Sequence, residues 1–370
     1  NQRTAGELSR KEGGKVFGSG SRAPVAISLL VKNPAAKEHG RIFFRDIGDY
    51  MSREEKLETV AGFGKVGGIT KVSGWRRIEP DVHGDWLRQR DESYGRFLAL
   101  GSKDVRDTAV RLFENFSLGV GTNRDAWAYG PSRLQVSDQM RRMVEAYNGQ
   151  LEALALARPG VDKKSREAVL EGFITRDSTK ISWTRGLKSQ FSRGERLGFS
   201  EARLVPSLYR PYTREWLYFD RRLNEYVSQM PRIFPTPDVA NLAIGVSASE
   251  SRSGFSVLMA NVPHSLHAAD SVGTQCFPLY LYDGDDASED DGDQGSLFDT
   301  AKKSPKGTAR RDGITDAGLA HFQSAYPGEA ITKEDVFYYV YGLLHSPDYR
   351  ARFRDNLGKE LPRIPRVAKR

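Results

Sequence analysis

Arginine and lysine side chains are concentrated in one stretch where aromatic residues alternate with them. From Arg176 to Arg222 eleven Lys or Arg stand against five Asp or Glu. Lys180, Arg185, Lys188, Arg193, Arg196, Arg203, Arg210 and Arg214 are interleaved with Trp183, Phe191, Phe199, Tyr209, Tyr212 and Trp216. Cations at this density neutralise phosphates and release the counterions condensed on a polyanion. An Arg fork also matches the acceptor pair on a guanine edge in the major groove. The aromatic residues are expected to anchor the connecting segments in a core. A solvated face laced with salt bridges would give the same composition.

Roles within the stretch can be divided by local context. Arg185, Lys188, Arg193 and Arg196, with Arg252 in the Ser249–Gly254 segment, are expected on long loops as base-reading groups. Their Gly- and Ser-rich flanks allow close backbone approach. Arg210 and Arg214 flank Pro211 and lie among aromatic residues, which suits a phosphate contact or a structural role. Lys180 is a further expected DNA contact.

Other candidate chemistry is weaker. Val16-Phe17-Gly18-Ser19-Gly20 has the look of a cofactor-binding glycine loop, but such a loop must follow a parallel strand and open a helix. Here it precedes an expected antiparallel strand pair, so a plain loop is the simpler reading. His264 and His267 have a spacing that could place two ligands on one helix face, yet Pro263 argues against a helix and no Cys or carboxylate cluster adjoins them. Asp81, Asp85 and Asp91 lack the lysine-bearing strand motif of a nuclease. Tyr338, Tyr339 and Tyr341 with Leu343 and Leu344 read as an apolar helix face. No Walker loop, Ser/His/Asp order or paired-carboxylate motif stands out.

These residues need a scaffold, and its elements can be read from pattern. Val25–Val31 is an aliphatic run long enough for a buried strand, expected to pair antiparallel with Arg41–Ile47. Ser52 and Glu55 form a capping box that opens a helix to about Val60. Val105–Leu112 has helical apolar spacing. Ser137-Asp138 is expected to cap a helix from Gln139 to about Leu156, and Lys163–Phe173 a further one. Beyond Ile174, Leu217–Phe219, Leu242–Val246, Phe255–Met259 and Phe277–Tyr282 are strand candidates separated by Pro and Gly. Asp283–Asp299 holds eight acidic residues and no basic one, and a basic stretch follows to Arg311, the mark of a solvated loop or linker. Thr332 with Asp335, and Ser346-Pro347, open two closing helices.

Composition sets the outer limits. The 370 residues are 38% hydrophobic and 28% charged, a globular balance, and the formal charge of +8 favours an anionic partner. No apolar run approaches the ~20 residues that span a bilayer. Cys276 is the sole cysteine, which rules out an internal disulfide and suits a reducing cytoplasm. A start at Asn1 without an initiator Met reads as the interior of a longer polypeptide.

Several stretches resemble the C-terminal half of type ISP restriction–modification enzymes. They are Arg3–Pro24 (RTAGELSRKEGGKVFGSGSRAP), Thr122–Trp127 (TNRDAW), Leu208–Tyr212 (LYRPY), Leu217–Arg221 (LYFDR), Gln275–Tyr280 (QCFPLY) and Phe337–Pro347 (FYYVYGLLHSP). Such enzymes join a nuclease, a helicase-like ATPase, a coupler, an N6-adenine methyltransferase and a target-recognition domain in one polypeptide. The resemblance implies that residues 1–75 end a methyltransferase domain and that the remainder is the specificity region. It also implies that Phe17 stacks on a flipped base. The family's Asn-Pro-Pro-Tyr/Phe motif, helicase motifs and nuclease residues do not occur here, so the chain is expected neither to methylate nor to cleave.

The resulting expectation is a mixed α/β fold: a methyltransferase tail (1–75), a helical spacer (76–173), a β-containing recognition core (174–282), a charged linker (283–312) and a helical end (313–370). The expected function is sequence-specific recognition of double-stranded DNA for a type ISP enzyme. No cofactor or metal is expected in this chain; the resemblance implies that the parent uses S-adenosylmethionine, ATP and Mg. Expected partners are duplex DNA and the rest of the parent, with no membrane. The rival readings are a stand-alone S-adenosylmethionine-dependent methyltransferase and a structural coupler that never touches DNA.

Overall fold

The computed structural model describes residues 6–17, 25–72, 74–104, 106–157, 164, 170–249, 251, 254–283 and 309–367. They fall in two compact units, Asn1–Arg90 and Asp91–Arg370. Together they make a mixed α/β protein whose strand pairings are antiparallel. Among the described residues no helix is long and apolar enough to cross a membrane.

The first unit contains α1 (Gly6–Glu12), β1 (Ile42–Phe44), α2 (Arg53–Phe63), α3 (Val66–Lys71) and β2 (Arg76–Ile78). The predicted capping box forms: the Ser52 hydroxyl accepts from the Glu55 amide at 3.2 Å and the Glu55 carboxylate accepts from the Ser52 amide at 2.7 Å. Gly13 ends α1 at φ 62°, and a Cβ there would lie 2.1 Å from the Met51 carbonyl oxygen. Only glycine fits that turn.

Here the expected strand pairing is corrected. Val25–Val31 forms no strand, and Ile27, Leu29, Leu30 and Val31 are exposed. β1 pairs instead with β2, in the register Ile42↔Ile78 and Phe44↔Arg76. Aliphatic composition marks a segment that favours burial, but it does not specify the partner. The boundary expected at residue 75 therefore falls between two strands that belong together.

The second unit runs through β3 (Leu98–Ala99), β4 (Ser117–Leu118), α4 (Asp125–Ala128), β5 (Tyr129–Gly130), α5 (Arg133–Ala157), α6 (Arg185–Arg193), β6 (Leu204–Arg210), β7 (Thr213–Tyr218) and α7 (Met230–Ile233). It continues with β8 (Ala243–Ser247), β9 (Val257–Ala260), β10 (Thr274–Pro278), β11 (Tyr280–Asp283), β12 (Ala309–Asp312), α8 (Asp316–Gln323), α9 (Lys333–His345), α10 (Pro347–Arg352), α11 (Arg354–Leu357) and β13 (Arg363–Ile364). β13 pairs with β3, joining the two ends of the unit.

Its centre is the sheet β4-β10-β8-β9, and every residue of β8 and β10 is buried. That is the continuous apolar pattern of a sheet covered on both faces. Ile244, Val246 and Phe277 pack with Val336, Phe337, Val340 and Leu344 of α9, whereas Ala243 and Cys276 join the opposite core. That second core is filled by α5, whose buried Val136, Met140, Met143, Val144, Tyr147, Leu151 and Leu154 recur with helical spacing. Against them lie Leu204, Val205, Leu217 and Tyr218 of the sheet β5-β7-β6. Each fully buried aliphatic side chain contributes ~1.5–3 kcal/mol.

Three helix expectations change. Of the expected helix Val105–Leu112, the described residues Arg106–Leu112 are not helical. Asp104 and Asp107 accept from the Arg106 and Ala109 amides at 2.9 Å each, local bonds that compete with a helix. The Leu112 and Phe113 amides are taken by the Ala99 and Leu100 carbonyls at 2.9 Å. The long helix begins at Arg133 rather than after Ser137, whose hydroxyl bonds the Glu201 carboxylate instead. In α9 only Tyr338 leaves the expected apolar face: it is half exposed, whereas Tyr339, Tyr341, Leu343 and Leu344 pack on the core and Tyr339 also donates to the Pro365 carbonyl at 2.7 Å. The Lys163–Phe173 expectation lies largely outside the described residues, as do the acidic and basic runs beyond Asp283.

Candidate nucleic-acid interface

Helix α6 is the principal carrier of the predicted cations, and this corrects their expected place on long loops. Thr184 caps it, its hydroxyl accepting from the Leu187 amide at 3.3 Å, and Gly194 closes it at φ 76°. Leu187, Gln190, Phe191 and Ser192 face inward. Arg185, Lys188 and Arg193 are left on the solvent side, because helical spacing sorts the sequence into one buried and one cationic face.

Most of these cations are already paired. Lys188 meets Glu171, Arg193 meets Glu195, and Arg196 reaches Glu152 of α5 at 2.5 Å. Lys180 lies 3.9 Å from Asp177. The charge excess counted within the stretch is thus partly cancelled by Glu152 and Glu171 from outside it. Pairs this exposed contribute ~0–1 kcal/mol and are readily exchanged. The Arg185 side chain is exposed and makes no hydrogen bond or ion pair among the described residues. Arg252 lies outside the described residues.

The second cationic element is the β6–β7 hairpin. Arg210 contacts Asp125 at 3.3 Å, lies 3.9 Å above the Tyr209 ring and donates to Ser265 at 3.3 Å. Burial, with the Asp125 charge next, raises the Tyr209 pKa above its ordinary value. Arg210 thus sits in a network of protein contacts. Arg214 donates at 2.9 Å to the neutral Asn261 side-chain oxygen and keeps its charge exposed.

A turn at Thr122–Asp125 ties the two elements together. Asn123 adopts φ 51°. Arg124, 4% exposed, donates to the Thr184 hydroxyl at 2.6 Å, while the next residue, Asp125, holds Arg210. Burial lowers the Arg124 pKa to about 10, opposed by the Glu225 charge. Glu225 in turn accepts from the Gly186 amide of α6 at 3.1 and 3.2 Å. Composition could not single out this brace, although Thr122–Trp127 carried part of the family resemblance.

The aromatic residues divide. Phe191 is buried, and Trp183, Phe199, Tyr209 and Trp216 pack on the same core. Tyr212 does not: it is 91% exposed, which corrects its expected role as an anchor. His264 is fully buried in a bridge opposite Leu208, and no cluster of three metal-ligating side chains occurs among the described residues. In the first unit Phe17 is 58% exposed, and Gly18–Pro24 lie outside the described residues.

A two-core mixed α/β unit presenting a cationic helix beside a cationic hairpin defines a recognition module, without an evident catalytic cluster among the described residues. The family model for the type ISP C-terminal specificity domain matches residues 111–370, and the chain belongs to that family. A nuclease-deletion mutant of the type ISP restriction–modification enzyme LlaGI, solved with a DNA substrate mimic, is 33% identical with a TM-score of 0.77. The match covers 99% of this chain and 30% of that one. The structure of DrdV with DNA is 29% identical, TM-score 0.74, covering 99% of this chain and 32% of the other. DNA-bound LlaBIII, an ATP-dependent type ISP enzyme, is 29% identical, TM-score 0.68, covering 89% and 19%. The chain thus spans about a third or less of each of these structures. Among curated proteins, none matches the sequence.

Proposed function

We propose that this chain supplies sequence-specific recognition of duplex DNA to a type ISP restriction–modification enzyme. The observation that carries the reading is the solvent face of α6, where the Arg185 side chain has no partner among the described residues and stands beside Lys188 and Arg193, which surface carboxylates hold. Phosphates replace those carboxylates at little cost, and a free Arg fork is available for a base edge. The solved relatives bound to DNA support the assignment.

The rest of the parent polypeptide carries methyl transfer, ATP hydrolysis and cleavage, with S-adenosylmethionine, ATP and Mg bound there and the whole acting in the cytoplasm. The first unit, Asn1–Arg90, belongs to the methyltransferase end of that parent. The exposed Val25–Val31 run is apolar surface that the parent covers, and Phe17 is the residue that stacks on the extruded base. Stacking offsets part of the few kcal/mol that extrusion costs.

The experiment is a titration of the 370-residue chain against a labelled duplex at rising salt. Affinity falls steeply, with a slope of ~0.9 per phosphate contacted. Arg185→Ala lowers affinity and reduces that slope by about one if the residue meets phosphate, or relaxes preference at one base pair if it reads a base. Absence of binding at low salt overturns the reading and favours a coupler that never touches DNA.

A further inference from the structure

The β6–β7 turn is built from Pro211 and Tyr212, because Arg210 and Thr213 still pair across it. Proline fits the first central position of such a turn, and the second, at positive φ, calls for Gly or Asn. Tyr212 occupies it at φ 60°, a conformation that crowds the Cβ of a bulky residue. Its ring is 91% exposed and has no hydrogen bond or ring partner among the described residues. Neither the turn nor the core therefore accounts for a tyrosine here.

We propose that Tyr212 is a base-contacting probe whose ring packs against nucleobases at one step of the bound duplex. This rests on the duplex-binding reading above and assigns part of the recognition to a residue that carries no charge. Three observations choose nucleic acid as the occupant. The tip is flanked by Arg214, whose charge meets only the neutral Asn261 among the described residues. At its base Arg210 is locked against Tyr209 and Asp125, so the ring stands on a fixed stem. Asp125 adjoins Arg124, which holds the cap of α6, so the probe and the cationic helix are braced by consecutive residues. An aromatic ring offers a large face to a base with few rotatable bonds to immobilise. Strain held at an exposed tip is expected where the ring has a partner to meet.

The test compares the 370-residue chain with Tyr212→Phe, Tyr212→Asn and Tyr212→Gly. Each is titrated against a labelled pool of random-sequence duplexes, and the bound fraction is sequenced. Tyr212→Phe stays within about twofold of the parent chain, because the ring is kept. Asn and Gly suit the turn, so those variants melt at the same temperature or higher, yet bind about tenfold more weakly. They also lose preference at one base step, while the salt slope is unchanged because no cation is removed. Unchanged affinity and preference in Tyr212→Asn, with the parent chain binding normally, overturns the proposal and assigns the ring to a protein partner. A lowered melting temperature in both Asn and Gly variants overturns it in favour of a folding role. If the parent chain binds no duplex at all, the underlying reading fails and the proposal falls with it.

Discussion

Arg124 donates through Nη2 to the Thr184 hydroxyl at 2.6 Å, across sixty residues of sequence, and Thr184 uses the same oxygen to cap α6. A buried guanidinium thereby fixes where the cationic helix starts. Arg124→Ala removes the bond and opens space in the core, and is expected to cost ~1–3 kcal/mol in urea unfolding. Arg185→Ala, one position past the cap and exposed, stays within ~0.5 kcal/mol. Arg124→Met fills the space without the charge and recovers part of the loss. Equal stabilities for the two alanine variants would show that the brace holds nothing.

The surface ion pairs give a prediction of opposite sign. Glu152→Gln releases Arg196, and Glu171→Gln releases Lys188. Folding stability changes by less than ~0.5 kcal/mol, as for other exposed pairs. Duplex affinity at low salt rises by about twofold or more, and the gain shrinks as salt screens the freed charge. A fall in affinity would mean that these carboxylates orient the cations rather than compete for them.

His264 gives the recognition unit an acid limit. Burial pushes its pKa down to about 4, below the ~6.5 of an unfolded histidine. The unfolded chain therefore takes up a proton first as pH drops. Stability is fully present above the unfolded value and is lost between about pH 6.5 and 4, by at most ~1.4 kcal/mol per pH unit. His321 and His345 are also lowered, chiefly by burial, and add to the trend. Unfolding of His264→Asn beside the wild type at several pH values isolates the contribution; parallel curves would rule it out. Gly245 supplies the room for this ring, since a Cβ there would lie 2.9 Å from its Cδ2. Gly245→Ala should cost ~1–3 kcal/mol by overpacking.

Local chemistry was legible in the sequence where a few adjacent residues decide it. Ser52 with Glu55 and Thr332 with Asp335 spell capping boxes, and both form. The runs at Leu242–Val246 and Phe277–Tyr282 become strands, the second divided at Leu279 between two sheets. Pairing over distance was not legible. Nothing local in Val25–Val31 tells it apart from a strand that finds its partner, and the Ala99 and Leu100 carbonyls that draw Leu112 and Phe113 out of a helix lie a dozen residues earlier. For the site, residue type identified the cations, but α6 and the carboxylates of Glu152 and Glu171 appear only when the chain is folded. The role of Tyr212 depends on a backbone angle that composition does not encode.

The unpaired aliphatic run in the first unit has a solution signature. Ile27, Leu29, Leu30 and Val31 present contiguous apolar surface, which drives association. The isolated 370-residue chain should self-associate as its concentration rises, and Ile27→Ser with Leu30→Ser should abolish this. Sedimentation velocity reads the difference, and a chain that stays monomeric at every concentration would refute it.

The carboxylates beside Arg193, Arg196 and Lys188 also act as built-in counterions. When a phosphate takes over one of these cations it sheds its own condensed sodium, but the displaced glutamate is then free to attract sodium from solution. Part of the salt released by the nucleic acid is thus recaptured by the protein. On the proposed duplex-binding reading, the logarithmic salt slope of this surface would therefore undercount the phosphates bound, and the slope of the Glu-to-Gln variants would come nearer the true number.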